Sequence, residues 1–435
     1  MIEIIQIPLF FIIFAFILFV PINLFQNRPL LKNLSIIEKS SLNLAFNLNI
    51  LLLISFLDYP VKSIQPILLL IYLIYFFINY YRDFGLFKNF IILIIPLFLV
   101  FLILSIDISE ELFLGWDAKF FYYIKSLFFF ENKSIFDLNN FSQNHWHPHF
   151  GSYLWSFFWT ISLTETEYFG RLFYLFLFCY SFYLVSQIEK NQKINICIFF
   201  VLIIIFYEYK FFSGLQEILI FSLLVLISKF FYEFICKQDH AYAILIILFS
   251  NLFIWIKSEG VIYFLLPLLM VLFISQNSIK HKIYIPFTLL FLYIIKVIIY
   301  DISNLNINSQ ATYYNFDYFT NLDLKIILEK ISHITIWLIY YFLTNIFYPL
   351  FLFMIFLNKL YIKKDENNFK YFKLIYIYLF YIIIFIYSAY ILRDMEIIQS
   401  IRTTMDRLVM TASGFLVYPC IKISLSYLRY KKVIK

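Results

Sequence analysis

The chain has 435 residues, of which 63% are apolar, 23% aromatic and only 14% charged. Soluble globular domains run at about 45–50% apolar and about 25% charged, so this composition excludes a soluble enzyme, a secreted disulfide scaffold, a disordered chain and a nucleic-acid binder. The formal net charge of +7 must then belong to something other than nucleic-acid contact. The four cysteines, Cys179, Cys197, Cys236 and Cys420, form neither a C-x-x-C pair nor a zinc spacing and read as buried thiols.

A bilayer crossing needs about 20 apolar residues. The first 25 residues are apolar, but Glu3 stands where a signal peptide is basic and no small-residue cleavage site follows, which predicts a retained span. Apolar runs bounded by charge then predict thirteen spans, near 4–25, 42–58, 64–81, 89–106, 167–188, 194–209, 214–235, 241–256, 260–277, 284–300, 333–357, 371–391 and 410–426. The short apolar segment 151–165 is predicted as a helix lying on the outer surface, because counting it as a crossing puts the later basic loops on the wrong side. The fold class is therefore all-α: a polytopic membrane protein of about 13 transmembrane helices, one membrane domain over residues 1–435 with no separate soluble domain. Its large outer loops are 107–166, carrying interfacial helices, and 301–332, with a further outer segment at 392–409.

Orientation follows from the Lys/Arg bias of short loops. With the N terminus outside, the inner loops hold Arg28, Lys32, Arg82, Lys88, Lys190, Lys193, Lys237, Lys363, Lys364 and the basic tail from Arg429. The acids Asp107, Glu110, Glu111, Asp117, Glu217, Glu259, Asp301, Asp317, Asp394 and Asp406 fall outside. The positive charge thus faces anionic lipid on the inner side. The inner loops are short and the outer ones long, so function is expected to face outward. Only seven glycines occur, and five of them (Gly115, Gly151, Gly170, Gly214, Gly260) sit at predicted outer helix ends, where either close backbone approach or simple helix termination fits.

Four outer segments carry groups capable of chemistry. The first is acidic, with Asp107, Glu110 and Glu111 preceding Gly115-Trp116-Asp117-Ala118-Lys119. From Asp117 onward Phe120, Phe121, Ile124, Leu127 and Phe128 recur at helical spacing while Lys119, Lys125 and Ser126 point elsewhere, which predicts an interfacial amphipathic helix. Asp117 at its N-terminal end suits both a reactive carboxylate and a plain N-cap. The second segment places His145, His147 and His149 at alternate positions around Pro148. An extended H-x-H-x-H run can present imidazoles to a metal, but with Pro148 setting the geometry a substrate-lining or interfacial role is the expectation. The third pairs Ser213-Gly214-Leu215-Gln216-Glu217 with the tight turn Lys257-Ser258-Glu259-Gly260; ionisable groups there also serve as snorkelling anchors. The fourth holds Arg393, Asp394 and Glu396, then Arg402 and Asp406 one helical turn apart, a spacing that suits a structural ion pair, and Arg407.

In this order, Gly115-Trp116-Asp117-Ala118, His147-Pro148-His149-Phe150, Gly170-Arg171, Lys257-Ser258-Glu259-Gly260 and Asp406-Arg407 resemble the GT-C superfamily of integral-membrane glycosyltransferases. The likeness is to its protein O-mannosyltransferase-like and aminoarabinose-transferase-like group, over roughly residues 85–425. The resemblance implies transfer of a hexosyl or pentosyl group from a polyprenyl-phosphate or pyrophosphate carrier to a glycan, lipid or protein acceptor. It implies a plasma-type membrane, the bacterial inner membrane, with the site facing the periplasm or outside. Asp117 matches the family's first-loop acid and is the expected base. Arg407, Arg402 and Lys257 are the expected phosphate-binding cations. Glu110, Glu111, Glu217, Glu259, Asp406, His147, His149 and Trp116 are the expected substrate contacts. Trp116, Trp146 and Trp155 suit stacking on sugar faces or anchoring at the interface. No cofactor is assigned, and a divalent cation at the acids is left open. The partners implied are the lipid-linked donor, the acceptor and membrane lipid. Two other classes share the many spans and polar outer loops: a transporter or flippase of lipid-linked sugars, and an oligosaccharide polymerase or ligase.

Overall fold

The computed structural model describes residues 2–20, 31, 33–110, 112–140, 147–273, 279–305, 324–361, 366–393 and 397–431. Glu111, His145, Trp146, Asp317, Asp394, Glu396 and most of the loop 301–332 lie outside the described residues. Among the described residues there is no β-strand. The helices are α1 (Ile2–Phe19), α2 (Ile36–Ile54), α3 (Val61–Glu110), α4 (Ile124–Phe130), α5 (Phe150–Trp159), α6 (Tyr168–Ser186), α7 (Gln192–Phe206), α8 (Glu217–Lys237), α9 (His240–Ile256), α10 (Gly260–Phe273), α11 (Ile279–Ile302), α12 (Leu324–Thr344), α13 (Phe347–Tyr361), α14 (Glu366–Ile391), α15 (Ile397–Ser413) and α16 (Val417–Tyr430). Eight stretches among them are long and apolar enough to cross a bilayer, and five further apolar helices are shorter.

The centre of the bundle is α6, α8 and α9. Every residue of α6 is buried, and α8 is buried from Glu217 through Tyr232. Around them α3, α11, α12 and α14 turn Phe77, Phe287, Leu343 and Phe380 outward. An exposed apolar surface on that scale is what a helix bundle presents to hydrocarbon. The polar side chains of α2 face inward instead. Asn43 donates to the carbonyls of Leu18 and Phe19, and Asn47 to those of Ile17 and Val20, satisfying carbonyls left over at the end of α1. That explains why α2, with two buried Asn and two buried Ser, is less apolar than its neighbours yet sits within the bundle.

Charged contacts gather at two ends. At the upper end Glu217, Lys257 and Arg407 meet; at the lower end Glu38 meets Lys229, Glu233 meets Lys237 and Lys422, and Glu189 meets Arg429. The stretch from Glu217 to Lys237 spans about 30 Å at 1.5 Å per residue, the thickness of a bilayer's hydrocarbon core. The sequence places the charges at the span ends, and the packing groups them there.

Four features differ from the sequence pattern. First, the two spans predicted at 64–81 and 89–106 appear as the candidate spans Val61–Ile78 and Phe87–Glu110, but both belong to one helix, Val61–Glu110, where the sequence predicts a loop between them. The path still doubles back: Lys62 lies over Phe130 at the upper end, the Phe76 and Phe87 rings are 5.3 Å apart, and the Ser105 carbonyl is again at the upper end, accepting from Tyr168. A straight helix would separate residues 76 and 87 by about 16 Å, so the two candidate spans of α3 pack side by side and do not form one straight rod. Second, the predicted span 333–357 is two helices, α12 and α13, broken at Asn345, whose side chain accepts from the Phe347 N–H. Both pack against the C-terminal helices: Lys330 donates to the carbonyls of Ile391 and Arg393 at the end of α14, Arg402 of α15 lies over Trp337, and Tyr348 donates to the Val409 carbonyl of α15.

Third, α5 does not lie on the surface, because all ten of its residues are buried. Its sequence is aromatic on every side, and a helix apolar all round is a buried one. Fourth, the helix after Asp117 shows the opposite face from the one predicted. Ala118, Tyr122, Lys125, Ser126 and Phe129 are buried, whereas Phe120 is 40% exposed. Residues Ala118–Tyr123 form a π-helix, whose wider turn breaks the 100° spacing on which the amphipathic reading rests. In a lipid setting the polar side chains go inward to find partners and the aromatic ones go outward.

Candidate functional site

The loops that carry the site are bolted together by Arg171. Its guanidinium pairs with Glu167 at 2.8 Å and donates to the carbonyls of Phe212 at 3.1 Å and Phe113 at 3.3 Å, so the segments before Glu217 and before Asp117 are held by one side chain. Gly115 adds a backbone link, its N–H donating to the Ser213 carbonyl at 2.9 Å. Gly214 has φ +87°, and a Cβ there would lie 2.7 Å from the Trp155 ring. That turn needs glycine on both counts, and it sets Glu217 as the first residue of α8. There the positive end of the helix dipole favours a carboxylate. Lys257 closes the C-terminus of α9 in an extended conformation, and the turn to α10 is so tight that a Cβ on Gly260 would lie 1.9 Å from the Phe253 carbonyl oxygen.

On this frame five charged side chains form one alternating series. Arg407 Nη1, from α15, is 2.5 Å from Asp117 Oδ2 and 2.9 Å from Glu217 Oε1. Glu217 Oε1 also accepts from Lys257 Nζ at 2.9 Å, and Lys257 is 3.6 Å from Glu259 Oε2. Arg407 Nη2 donates to the Thr403 carbonyl at 3.0 Å. Glu217 is 4% exposed, Arg407 and Lys257 12%, and Asp117 and Glu259 27%. The series is therefore closed in the middle and open at both acidic ends. Three carboxylates against two cations leave it one negative charge.

Burial alone would lower the Lys257 ammonium, but Glu217 and Glu259 beside it hold it well above its ordinary value. Burial alone would raise the Glu259 carboxyl, but Lys257 holds it below. Tyr122 lies buried beside the series; burial, then Glu217, Glu259 and Asp117, outweigh Lys257 and push its phenol up, so it stays a hydrogen-bond donor. His147 Nδ1 is 3.4 Å from Ser258 Oγ, and its ring packs on Phe121 at 5.4 Å. Burial, with Lys125 and Lys257 nearby, pushes that imidazole down to about 3, so it is neutral. Lys125 Nζ donates to the His147 carbonyl at 2.7 Å, and burial pushes this ammonium down to about 7.

Of the residues singled out from sequence, Asp117, Glu217, Lys257, Glu259, Arg407 and His147 come together here. Trp116 stands beside Asp117, 67% exposed, with its ring against Phe120 and Phe121. Asp406 pairs with Lys210 at 3.4 Å and not with Arg402, whose guanidinium lies 5.6 Å over Trp337. Glu110 is exposed at the end of α3. His149 lies apart, fully buried against Phe56 and Trp255. Its Nε2 is 2.8 Å from Ser55 Oγ; the Ser55 proton goes to the Leu52 carbonyl, so Nε2 is the donor. Trp155 is likewise a core residue, bonded to the Glu167 carbonyl. Tyr122 and Lys210 join or support the site without having been singled out, and Arg171, quoted only within the Gly170-Arg171 motif, proves to be its frame; for Tyr122 and Lys210 only their nearness to outer helix ends could have flagged them. Among the described residues no three His, Cys, Asp or Glu side chains converge on a point that could hold a metal ion.

The described helices are those of an integral membrane protein, with a buried ionic site at one end of the bundle. No protein-family model, curated protein or solved structure matches the chain.

Proposed function

We propose that the protein is a GT-C-type membrane glycosyltransferase that moves a sugar from a polyprenyl-phosphate carrier to a glycan, lipid or protein acceptor. In this reading the chain makes thirteen passes, and the upper end of the bundle faces the periplasm or the outside. One observation carries it: Asp117 and Arg407, 290 residues apart, and Glu217, Lys257 and Glu259 between them form a single series at the end of the spans. Transfer needs a carboxylate to take the acceptor proton and cations to hold the departing phosphate. Asp117 supplies the first, Arg407 and Lys257 the second. The acceptor O–H proton goes to Asp117 as the acceptor oxygen bonds to C1, and the C1–O bond to phosphate breaks with its electron pair leaving on the phosphate. Trp116 offers a sugar-sized face at the open end, and Glu259 and His147 supply polar contacts around it. Arg402 and Lys210 lie at the rim, where they attract anionic headgroups.

The test compares surface glycans and lipid-linked sugars by mass spectrometry in cells carrying the intact protein, a deletion, or Asp117→Asn at matched membrane levels. Loss of one sugar from the glycan in both variants, with the lipid donor accumulating, is expected. A deletion that loses the sugar beside an Asp117→Asn variant that keeps it would overturn the base assignment and favour a transporter of lipid-linked sugars.

A further inference from the structure

A carboxylate that is to take a proton must present a lone pair to the incoming hydroxyl. Asp117 Oδ2 instead contacts Arg407 Nη1 at 2.5 Å. The same Nη1 contacts Glu217 Oε1 at 2.9 Å, so one guanidinium serves two carboxylates that differ in how firmly they are held. Glu217 is 4% exposed and fixed from the far side by Lys257 at 2.9 Å. Asp117 is 27% exposed, lies at the open end of the series and makes no side-chain cap bond to its own helix. The Asp117 contact is the exchangeable one.

We infer that Arg407 is a partner-exchange switch: the phosphate of the incoming lipid donor takes the place of Asp117 on the guanidinium, and Asp117 is released to act as base only once the donor is in place. This rests on the glycosyltransferase reading. Glu217 and the Thr403 carbonyl keep Arg407 oriented through the exchange, so the movement falls on the Asp117 side. Guanidinium binds phosphate through the same planar fork with which it binds carboxylate, so the exchange replaces one charge-assisted contact with another. It also orders the reaction. The acceptor is deprotonated only after the leaving group is bound to the cation that will receive its charge.

The experiment uses the full-length protein in lipid nanodiscs and reads the rate of carbodiimide-driven amidation of Asp117 by peptide mass spectrometry. Sugar-free polyprenyl monophosphate is the probe and polyprenol of the same chain length is the control. Release from Arg407 is expected to speed amidation roughly tenfold, the equivalent of about 1.4 kcal/mol of lost ion-pair stabilisation, with the monophosphate and not with the alcohol. In Arg407→Gln, Asp117 is expected to react at the fast rate with and without lipid. In Arg407→Lys, which keeps the charge and guards against a misfolded Gln variant, the lipid-free rate is expected to fall between the two. A wild-type rate that is unchanged or slowed by the monophosphate overturns the switch. Sugar transfer assayed in parallel separates the two ideas. If Asp117→Asn abolishes transfer while lipid leaves amidation unchanged, only the switch falls; if Asp117→Asn transfers normally, the reading beneath it falls.

Discussion

Glu217→Gln tests whether the ionic series holds the upper end of the bundle together. The substitution keeps the side-chain volume and an acceptor oxygen but removes the charge that separates Arg407 from Lys257, each 2.9 Å from Glu217 Oε1 and each 12% exposed. Two buried cations then face one another across a neutral amide. Removing one partner from a buried ion pair costs roughly 3–5 kcal/mol when the charge left behind has no other partner; here Arg407 keeps Asp117 and Lys257 keeps Glu259, so the loss is expected at the low end of that range. The pair Lys210–Glu208, at 3.0 Å but more than half exposed on both sides, is the matched control, and pairs of that kind contribute about 0–1 kcal/mol. Followed by fluorescence in nanodiscs, the unfolding midpoint of Glu217→Gln is expected about 5 °C or more below wild type, and that of Glu208→Gln close to wild type. Adding Lys257→Met to Glu217→Gln should not give an additive loss, since the second change removes one of the two like charges left facing each other while leaving Glu259 without its cation. Midpoints within a degree of one another for Glu217→Gln, Glu208→Gln and wild type would refute the reasoning.

Three further outcomes follow from other residues. Burial pushes the Lys125 ammonium down to about 7 from 10.5. Between those values the unfolded chain carries a proton that the folded one lacks, so stability rises with pH by up to about 1.4 kcal/mol per unit. Lys257, held above its ordinary value, stabilises fully below 10.5 and adds no slope in that window. The midpoint should therefore climb from pH 7 to pH 9 more steeply in wild type than in Lys125→Met; equal climbs in both would show that Lys125 is not the group responsible. Gly260→Ala forces a methyl against the Phe253 carbonyl, 1.9 Å from its ideal position. Backbone has to move, so a destabilisation of roughly 1–3 kcal/mol is expected, together with reduced sugar transfer because Lys257 and Glu259 share that turn. Unaltered transfer and melting would refute the tight-turn account. Lys296 is 9% exposed within α11, its ammonium 5.3 Å from the Tyr300 ring centre, with no ion-pair partner among the described residues. Lys296→Met should raise stability by roughly 1–3 kcal/mol, and a lower midpoint would refute that assignment.

Much of the site was legible because charge is scarce. In a chain that is 14% charged, an ionisable residue at a span end is conspicuous, and Asp117, Glu217, Lys257, Glu259 and Arg407 were each visible from their positions alone. Their mutual contacts were not, since no spacing rule connects residue 117 to residue 407. The glycines gave a truer signal than ordinary helix termination would have: Gly214 and Gly260 are where backbone or ring atoms approach too closely for a Cβ. What misled was periodicity. The π-turns at Ala118–Tyr123 moved Lys125 and Ser126 from the predicted polar face into the protein. The aromatic abundance of α5 looked the same whether it met lipid or protein, and only the packing of Trp155 beneath Gly170 and Gly214 decides between them. Arg402 and Asp406 satisfied the one-turn spacing for an ion pair, yet Asp406 found Lys210 on another segment and Arg402 a tryptophan face. Local spacing permits a pair without selecting it.

The charge of the series constrains how a phosphate can enter. On the glycosyltransferase reading, the series holds three acids against two cations, and a phosphate that is to contact Arg407 must displace one of the acids already on it. The direct route is for an acid to leave its cation as the phosphate arrives. Glu217 is unsuited to that, being fixed by two cations and almost wholly buried. Glu259 lies 3.6 Å from Lys257, so its departure would free Lys257 and not the Arg407 guanidinium. Asp117 is the acid whose departure both admits the phosphate to Arg407 and exposes a carboxylate at the open end, so charge balance and catalytic need select the same side chain.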